Sequence, residues 1–138
     1  MKPARLALLF LLMTSPAFAD GVCGASGACD TMSSNVEYKD CLAKLAQQQD
    51  DELNDLYGQV KTLLQSYDQL GSETAPLVPA LKTAQKSWLA FRDAQCTMEY
   101  GMAQGGTAGG GYNSDCLCNL SYNRNIDLKR MLLSYGEQ

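Results

Sequence analysis

The sequence predicts an all-α fold, an antiparallel three-helix bundle that follows an irregular N-terminal arm. Two observations predict it. Apolar residues recur at three- and four-residue steps through three long segments, as on the buried stripe of an amphipathic helix. No segment sustains the alternation of apolar and polar residues that indicates a strand. Three helices joined by one short and one long connection pack as antiparallel neighbours.

The N-terminal segment predicts a secretory signal peptide. Lys2 and Arg5 precede an apolar run over residues 6–13, which is too short to span a bilayer. Small residues at 17–19 mark a cleavage point before Asp20. We therefore expect an exported protein, periplasmic or secreted, that does not insert into the membrane after cleavage. The predicted division is a signal peptide at 1–19, an arm at 20–34 and a helical domain at 35–138.

All six cysteines lie in the exported part. In an oxidising compartment an even number indicates disulfides, and six cysteines allow fifteen pairings. Metal binding is the alternative, but Cys116-Leu117-Cys118 lacks zinc-knuckle spacing and the chain has no histidine to complete a mixed site. We expect neither a metal nor a cofactor. The end of the second helix meets the start of the third, so the layout favours the pair Cys96–Cys116. Cys29 in the arm and Cys41 in the first turns of the first helix form a second expected pair, and Cys23–Cys118 remains as the third.

The first helix is predicted from about Asn35 until Gly71 ends it, with Ser34 or Asn35 as the N-cap. Gly58 lies inside this helix, where glycine costs about 1 kcal/mol relative to alanine. We therefore expect either a close packing contact at Gly58 or a bend. The apolar stripe comprises Tyr38, Leu42, Leu45, Leu53, Leu56, Val60, Leu63, Tyr67 and Leu70.

The second helix is predicted to begin near Pro76, because proline suits a first helical turn. Pro79 falls in the same turn, whereas an earlier start would make Pro79 a kink. The predicted stripe comprises Leu77, Leu81, Ala84, Trp88, Phe91 and Gln95 or Cys96.

A glycine-rich segment over residues 101–112 interrupts the periodicity and predicts a flexible loop with its base held by Cys96 and Cys116. It lacks the preceding strand and the Gly-Lys-Ser/Thr sequence of a phosphate-binding loop. Such a loop is either a binding element carried by a rigid scaffold or a solvated connector. The third helix is predicted over about 113–134, with apolar residues Leu117, Leu120, Ile126, Leu128, Met131, Leu132 and Tyr135.

Composition and charge exclude several function classes. The chain has 138 residues with 11 Lys and Arg against 15 Asp and Glu, and loss of the signal peptide leaves 9 basic residues and a formal charge of −6. This charge argues against nucleic-acid binding. The absence of histidine removes the commonest general base. Asp50 and Asp51 are adjacent on a helix and point in different directions, so they do not form the facing carboxylate pair of a glycosidase. We expect no enzymatic activity.

Several motifs resemble the LprI lysozyme-inhibitor-like family over about residues 29–133. Leu53-Asn54-Asp55-Leu56-Tyr57 resembles its LN-x-x-Y segment, and Gly105-Gly106-Thr107 resembles its GG-[ST] loop. The AQ-x-x-W and RD-x-x-C segments resemble residues 84–88 and 91–96. Further matches are Cys29 and Cys41 near the N-terminus and Cys116, Ser121, Arg124 and Leu128 as a closing pattern, while Cys23 and Cys118 are additions to the family's four cysteines.

The resemblance implies a small secreted or periplasmic helical domain and, for some members, inhibition of lysozyme. The implied partner is a basic lysozyme-type protein, which an acidic chain attracts over long range. The expected partner-binding residues are Gly105, Gly106, Thr107, Tyr112 and Asn113 in and beside the loop. An acidic cluster, Asp50, Asp51, Glu52 and Asp55, either contacts basic residues of the partner or is a solvated helix face. A non-catalytic scaffold domain of the cell envelope is the alternative function.

The other motif residues are expected to be mainly structural. Trp88 and Tyr57 are predicted core anchors, since aromatic side chains bury a large area. A partly buried Arg124 needs acceptors, because an unpaired buried guanidinium is costly. The candidate acceptors are Asn54, Gln85 and Asp93. The functional alternative is that Arg92 or Arg124 docks into an acidic cleft. The expected polar network comprises Asn54, Gln85, Arg92, Asp93 and Arg124.

Overall fold

The computed structural model shows three long helices packed together, preceded by a short 3-10 helix in the arm. It describes residues 23–71, 76–103, 106 and 108–136. The helices are α1 (Asn35–Gln69), α2 (Leu77–Met102) and α3 (Gly109–Tyr135), and the 3-10 turn covers Gly24–Ser26. These residues contain no strand, and the all-α prediction is confirmed. The predicted signal peptide and its cleavage point lie outside the described residues.

The helices alternate in direction. Cys96, near the end of α2, is bonded to Cys116, near the start of α3, so these two helices run antiparallel. The hydroxyl of Tyr67, near the end of α1, donates to the carbonyl of Tyr135 at the end of α3 over 3.0 Å. Helices α1 and α3 therefore run parallel, with α2 antiparallel to both.

Helix α1 begins with a capping box. The amide of Glu37 donates to Ser34 Oγ over 3.2 Å, and the amide of Ser34 donates back to Glu37 Oε2 over 3.1 Å. Ser34 is therefore the N-cap. Apart from the nearby backbone of α1 and the two chain neighbours of Gly58, no atom of the described residues lies within 4 Å of the position that a Cβ on Gly58 would take. The expected packing contact is therefore not formed there, and α1 continues through this glycine.

The start of α2 is capped by the preceding helix. Both carboxylate oxygens of Asp68 accept hydrogen bonds, from the amides of Leu77 at 2.8 Å and Val78 at 3.1 Å. These amides belong to the first turn, where no intrahelical acceptor exists. Pro76 is the N-cap and Pro79 lies in the first turn, as the later of the two predicted starts requires.

The predicted loop over 101–112 is shorter than expected. Helix α2 continues to Met102 and α3 already begins at Gly109 instead of near Asn113. Close packing explains this early start: a Cβ on Gly109 would lie 3.0 Å from Cε2 of Tyr100, and one on Gly111 would lie 3.6 Å from Cδ1 of Leu42. Tertiary contact thus outweighs the low helix propensity of glycine.

The core is aliphatic and lies toward the end of the bundle where α1 meets α2. Its buried members are Leu53, Leu56, Val60, Leu81 and Leu128, against which Tyr57, Leu64, Trp88, Met131 and Leu132 pack. The predicted anchors Trp88 and Tyr57 therefore contact the core.

The predicted stripe of α2 is wrong in part. Phe91 is 54% exposed and Ala84 is exposed, whereas Gln85 is buried and Arg92 is mostly buried. The inward face therefore carries two polar side chains, because both find hydrogen-bond partners on other helices. On the other two helices, the predicted core residues Leu70, Ile126 and Tyr135 are likewise exposed.

The opposite end of the bundle is held covalently. Its Cα–Cα separations across the disulfides are 5.5 to 5.9 Å. Among the described residues there is no free cysteine. The pairs are Cys23–Cys118, Cys29–Cys41 and Cys96–Cys116, as the helix layout predicted.

Candidate functional site

Midway along the bundle, two guanidinium groups lie over the ring of Trp88. The Cζ atoms of Arg92 and Arg124 are 5.3 and 5.9 Å from the centroid of the ring. At these distances the π electrons of the ring attract both cations. Trp88 therefore joins the aliphatic core to a polar layer between the helices.

Arg92 is engaged within the chain. Its Nη1 donates to Asp50 Oδ1 over 2.6 Å and to Ser121 Oγ over 3.2 Å. Its Nε donates to Asp93 Oδ1 over 3.1 Å. Only 13% of the Arg92 side chain is exposed. These contacts connect all three helices and favour the structural interpretation of Arg92 over docking into a partner's cleft.

Arg124 is bound by one of the three expected acceptors. Its Nε donates to Gln85 Oε1 over 3.1 Å. Asp93 accepts from Arg92 instead, and Asn54 is exposed beside a groove between α1 and α2. The structure thus brings together four of the five predicted network residues, and Asn54 lies apart.

Asn125 is a buried member of the same layer that sequence reasoning missed. It is fully buried, and its Nδ2 donates to the carbonyl of Gln49 over 3.0 Å. Its Oδ1 has no partner within the described part of the chain. Asp50 and Ser121 bind Arg92, but the sequence gives no local signal for these contacts, because both residues are far from Arg92 along the chain.

The acidic cluster is partly neutralised by internal contacts. Asp50 pairs with Arg92, and Glu52 Oε1 lies 2.6 Å from Nζ of Lys129. Asp51 and Asp55 accept hydrogen bonds from glutamine side chains one helical turn away. Half of the cluster is therefore committed to ion pairs that hold α1 against the other helices.

The unbalanced negative charge lies elsewhere. We define the disulfide-tied end as the described residues within 23–44 and 93–123, which contain six Asp and Glu but only two basic residues, Lys39 and Lys44. Residues 45–92 and 124–138 carry eight acidic and seven basic residues, so that part of the chain is nearly neutral. The end that holds the α2–α3 connection is therefore the acidic one.

Of the five expected partner-binding residues, Gly106, Tyr112 and Asn113 lie in this end, and the setting of Tyr112 differs from the prediction. Gly105 and Thr107 lie outside the described residues. The amide of Gly106 donates to the carbonyl of Ala103 over 3.0 Å. Tyr112 and Asn113 lie on the first turns of α3 and not in a loop, with Tyr112 58% exposed and Asn113 partly buried.

Two further observations bear on what the arrangement can do. The described residues hold no cluster of three or more His, Cys, Asp or Glu side chains suited to a metal ion. In the same part of the chain, none of the helices combines the length and the apolar character needed to cross a membrane.

Comparison with known proteins agrees with the motifs. A family model described as "Lysozyme inhibitor LprI" matches residues 25–128, a range that contains α1, α2 and most of α3. A protein of Rhizobium meliloti (strain 1021), described as uncharacterized, is 31% identical over 139 residues, which covers 97% of this chain and 98% of the relative. No solved structure matches the chain.

Proposed function

The chain belongs to the LprI family of lysozyme inhibitors, and from this premise we propose that it inhibits a lysozyme-type peptidoglycan hydrolase by binding it as a folded protein. The family match over residues 25–128 carries the proposal, because that range includes most of the helical bundle and the connection between α2 and α3. Inhibition of this kind needs no catalytic group on the inhibitor, only a surface that occupies the enzyme's cleft.

The proposed compartment is outside the cytoplasm, in the periplasm or after secretion. Three disulfides are stable in an oxidising compartment and rare in the cytoplasm. A lysozyme acts on the cell wall, so inhibitor and enzyme meet in the same compartment.

The proposed contact region is the connection between α2 and α3, with Gly105, Gly106 and Thr107 as its centre and Tyr112 and Asn113 beside it. The Cys96–Cys116 disulfide joins the two helices behind this connection. A covalently held base limits the conformational entropy that is lost on binding. The segment is short enough to enter a sugar-binding cleft and cover the catalytic carboxylates of the enzyme.

The charge of the disulfide-tied end supports a basic partner. Six acidic and two basic residues give this end an excess of negative charge. Such a field accelerates encounter with a basic protein, and dissolved salt screens it. The proposed inhibition is therefore strongest at low ionic strength.

The test is a titration of the mature protein against hen-type and bacterial lysozymes, measured as clearing of a cell-wall suspension. We expect inhibition at about micromolar concentrations that weakens between about 50 and about 500 mM salt, because screening slows encounter. Tyr112→Ala should weaken inhibition. The matched control is Tyr135→Ala at the other end of the bundle, since these tyrosines are 58% and 53% exposed.

Absence of inhibition by the folded protein at low salt would contradict the proposal. Retrieval of a non-enzymatic envelope protein from an envelope extract, without a muramidase, would instead support the scaffold interpretation. Equal inhibition by the Tyr112→Ala and wild-type proteins would keep the function and exclude Tyr112 from the contact.

A further inference from the structure

Long apolar side chains project from the outward face of α2 at the disulfide-tied end. Met98 is 53% exposed and Met102 is 74% exposed, and they lie one helical turn apart. Phe91 lies seven residues before Met98, on the same face, and is exposed as well. Apolar side chains are usually buried, and Phe91 was predicted to lie in the core.

Tyr112 extends this face across to α3. Together with Met98, Met102 and Ala103 it lines a shallow depression of about 550 Å³. We call Met98, Met102 and Tyr112 the methionine patch. Single exposed apolar residues are ordinary in soluble proteins, whereas a contiguous group of them from two helices is typical of an interaction surface.

The fold explains why these side chains face outward. At this level of α2 the inward position is taken by Cys96, which is bonded to Cys116 and buried. On α3, Gly109 faces Tyr100 of α2 and Gly111 faces Leu42 of α1, and their missing side chains allow close approach. Between α2 and α3 at this level, the space is therefore filled by the disulfide and the close approach at Gly109, and Met98 and Met102 face outward.

The charges around the methionine patch are acidic. Glu99 lines the same depression, and its Oε1 accepts a hydrogen bond from Gln95 Nε2 over 2.9 Å. No lysine or arginine occurs between residues 93 and 123. Lys39 lies on the other side of Tyr112, where both line a separate cleft with the arm. An apolar centre with an acidic border complements a basic protein.

We propose that the methionine patch is the apolar centre of the surface that docks the basic lysozyme, with Glu99 at its border. This inference rests on the proposed function and adds residues of α2 to the contact region. Methionine suits the role because its flexible, polarisable side chain adapts to the partner's surface. The central, desolvated side chains of an interface supply most of its affinity, whereas charges at the border mainly affect the association rate.

The first test removes the apolar character while keeping size and charge. The double variant Met98→Gln/Met102→Gln should bind hen-type lysozyme about tenfold more weakly than the wild type, mainly through faster dissociation. The matched control is Leu133→Gln, a substitution of an exposed apolar residue on α3 that lies outside the patch. Glu99→Gln should slow association and reduce its dependence on salt. Circular dichroism checks that each variant keeps its helices.

The second test uses the wild-type protein. Hydrogen peroxide oxidises exposed methionines, and peptide mass spectrometry measures each site separately. Excess lysozyme should slow oxidation of Met98 and Met102 and leave Met32 in the arm, which is also exposed, unchanged. This footprint needs no substitution, so it does not depend on the folding of a variant.

The outcomes separate the two proposals. Unchanged affinity of the double variant, or unprotected Met98 and Met102 in a complex that still inhibits, overturns the patch and leaves the proposed function standing. Absence of any lysozyme complex overturns both. Dimerisation of the wild type that the double variant abolishes, measured by sedimentation, overturns the lysozyme as occupant and assigns the patch to a second copy of the chain.

Discussion

Where α1 meets α2, the buried residues are leucine and valine, whereas at the disulfide-tied end most of them are half-cystines and glycines. We call the first region the aliphatic half. There, long side chains from all three helices fill the space between the backbones. At the other end, disulfides and close backbone approach take their place. Covalent bonds thus substitute for a hydrophobic core and leave long apolar side chains free to face outward.

The two regions should therefore fail under different conditions. Burial of apolar surface stabilises the aliphatic half and does not depend on redox state. The disulfide-tied end depends on bonds that a reductant removes. The predictions below test this difference, beginning with the largest expected effect.

The largest effect is expected from removing Cys23–Cys118, which links positions 95 residues apart. The variant Cys23→Ser/Cys118→Ser should lose about 4 kcal/mol of unfolding free energy, because the unfolded chain regains the entropy of a long loop. The measurement is urea denaturation followed by circular dichroism. The control is Cys29→Ser/Cys41→Ser, which opens a separation of only 12 residues and should cost less. A larger loss in the control would contradict the comparison.

Leu128→Ala should cost about 3 kcal/mol, since this fully buried side chain contacts the aliphatic core and its loss leaves a cavity. Leu133→Ala on the same helix is the matched control and should change stability by less than about 0.5 kcal/mol, because Leu133 is 77% exposed. Both values come from urea titrations, with the disulfides intact. A loss below about 1 kcal/mol at Leu128 would show that the core does not stabilise this half.

Two glycine substitutions should have opposite signs. In the arm, the amide of Gly24 donates to Asp115 Oδ1 over 2.7 Å, and a Cβ on Gly24 would lie 2.6 Å from the same oxygen. Gly24→Ala should therefore destabilise the protein by about 1 kcal/mol, as this hydrogen bond is displaced. Gly58→Ala meets open space on α1 and should stabilise it by about 1 kcal/mol. Thermal denaturation of both variants tests the pair, and a shared sign would contradict the assigned contacts.

The smallest effect concerns the pH dependence at the start of α1. Hydrogen bonds from the Ser33 hydroxyl and amide hold the pKa of Glu37 below its ordinary value of 4.5. A folded-state pKa below the unfolded one contributes stability above the unfolded value and loses it as the pH falls. The difference in unfolding free energy between the wild type and Glu37→Gln should therefore shrink as the pH falls from about 6 to about 3. A gap that stays constant over this range would exclude ionisation as its cause.

Much of the fold could be predicted from local patterns. The leucine stripe predicts the length of α1, and Pro76 predicts where α2 begins, because both signals act through neighbouring residues. The cysteine pairs followed once the helices were known to alternate in direction. These features need only the sequence and the direction of each element.

The rest depended on partners that are distant along the chain. Hydrophobic periodicity placed Phe91 inside, whereas the structure buries Gln85 and Arg92, whose partners lie on other helices. Helix propensity favoured a loop at Gly109–Gly111, whereas packing against Tyr100 and Leu42 makes these glycines helical. For the same reason Tyr112, predicted in the loop, lies on α3, and the exposure of Met98 and Met102 carried no local signal.

The parallel course of α1 and α3 has a practical consequence for immobilising the protein. Cys23 is tied to Cys118 at the acidic end, while Tyr135 lies beside Tyr67 at the opposite end. An affinity tag or biotin attached after Gln138 therefore points the methionine patch away from a sensor chip, whereas a tag ahead of Cys23 crowds it. Comparing how much partner binds to protein captured through its N-terminus and through its C-terminus would show which end of the bundle receives the partner.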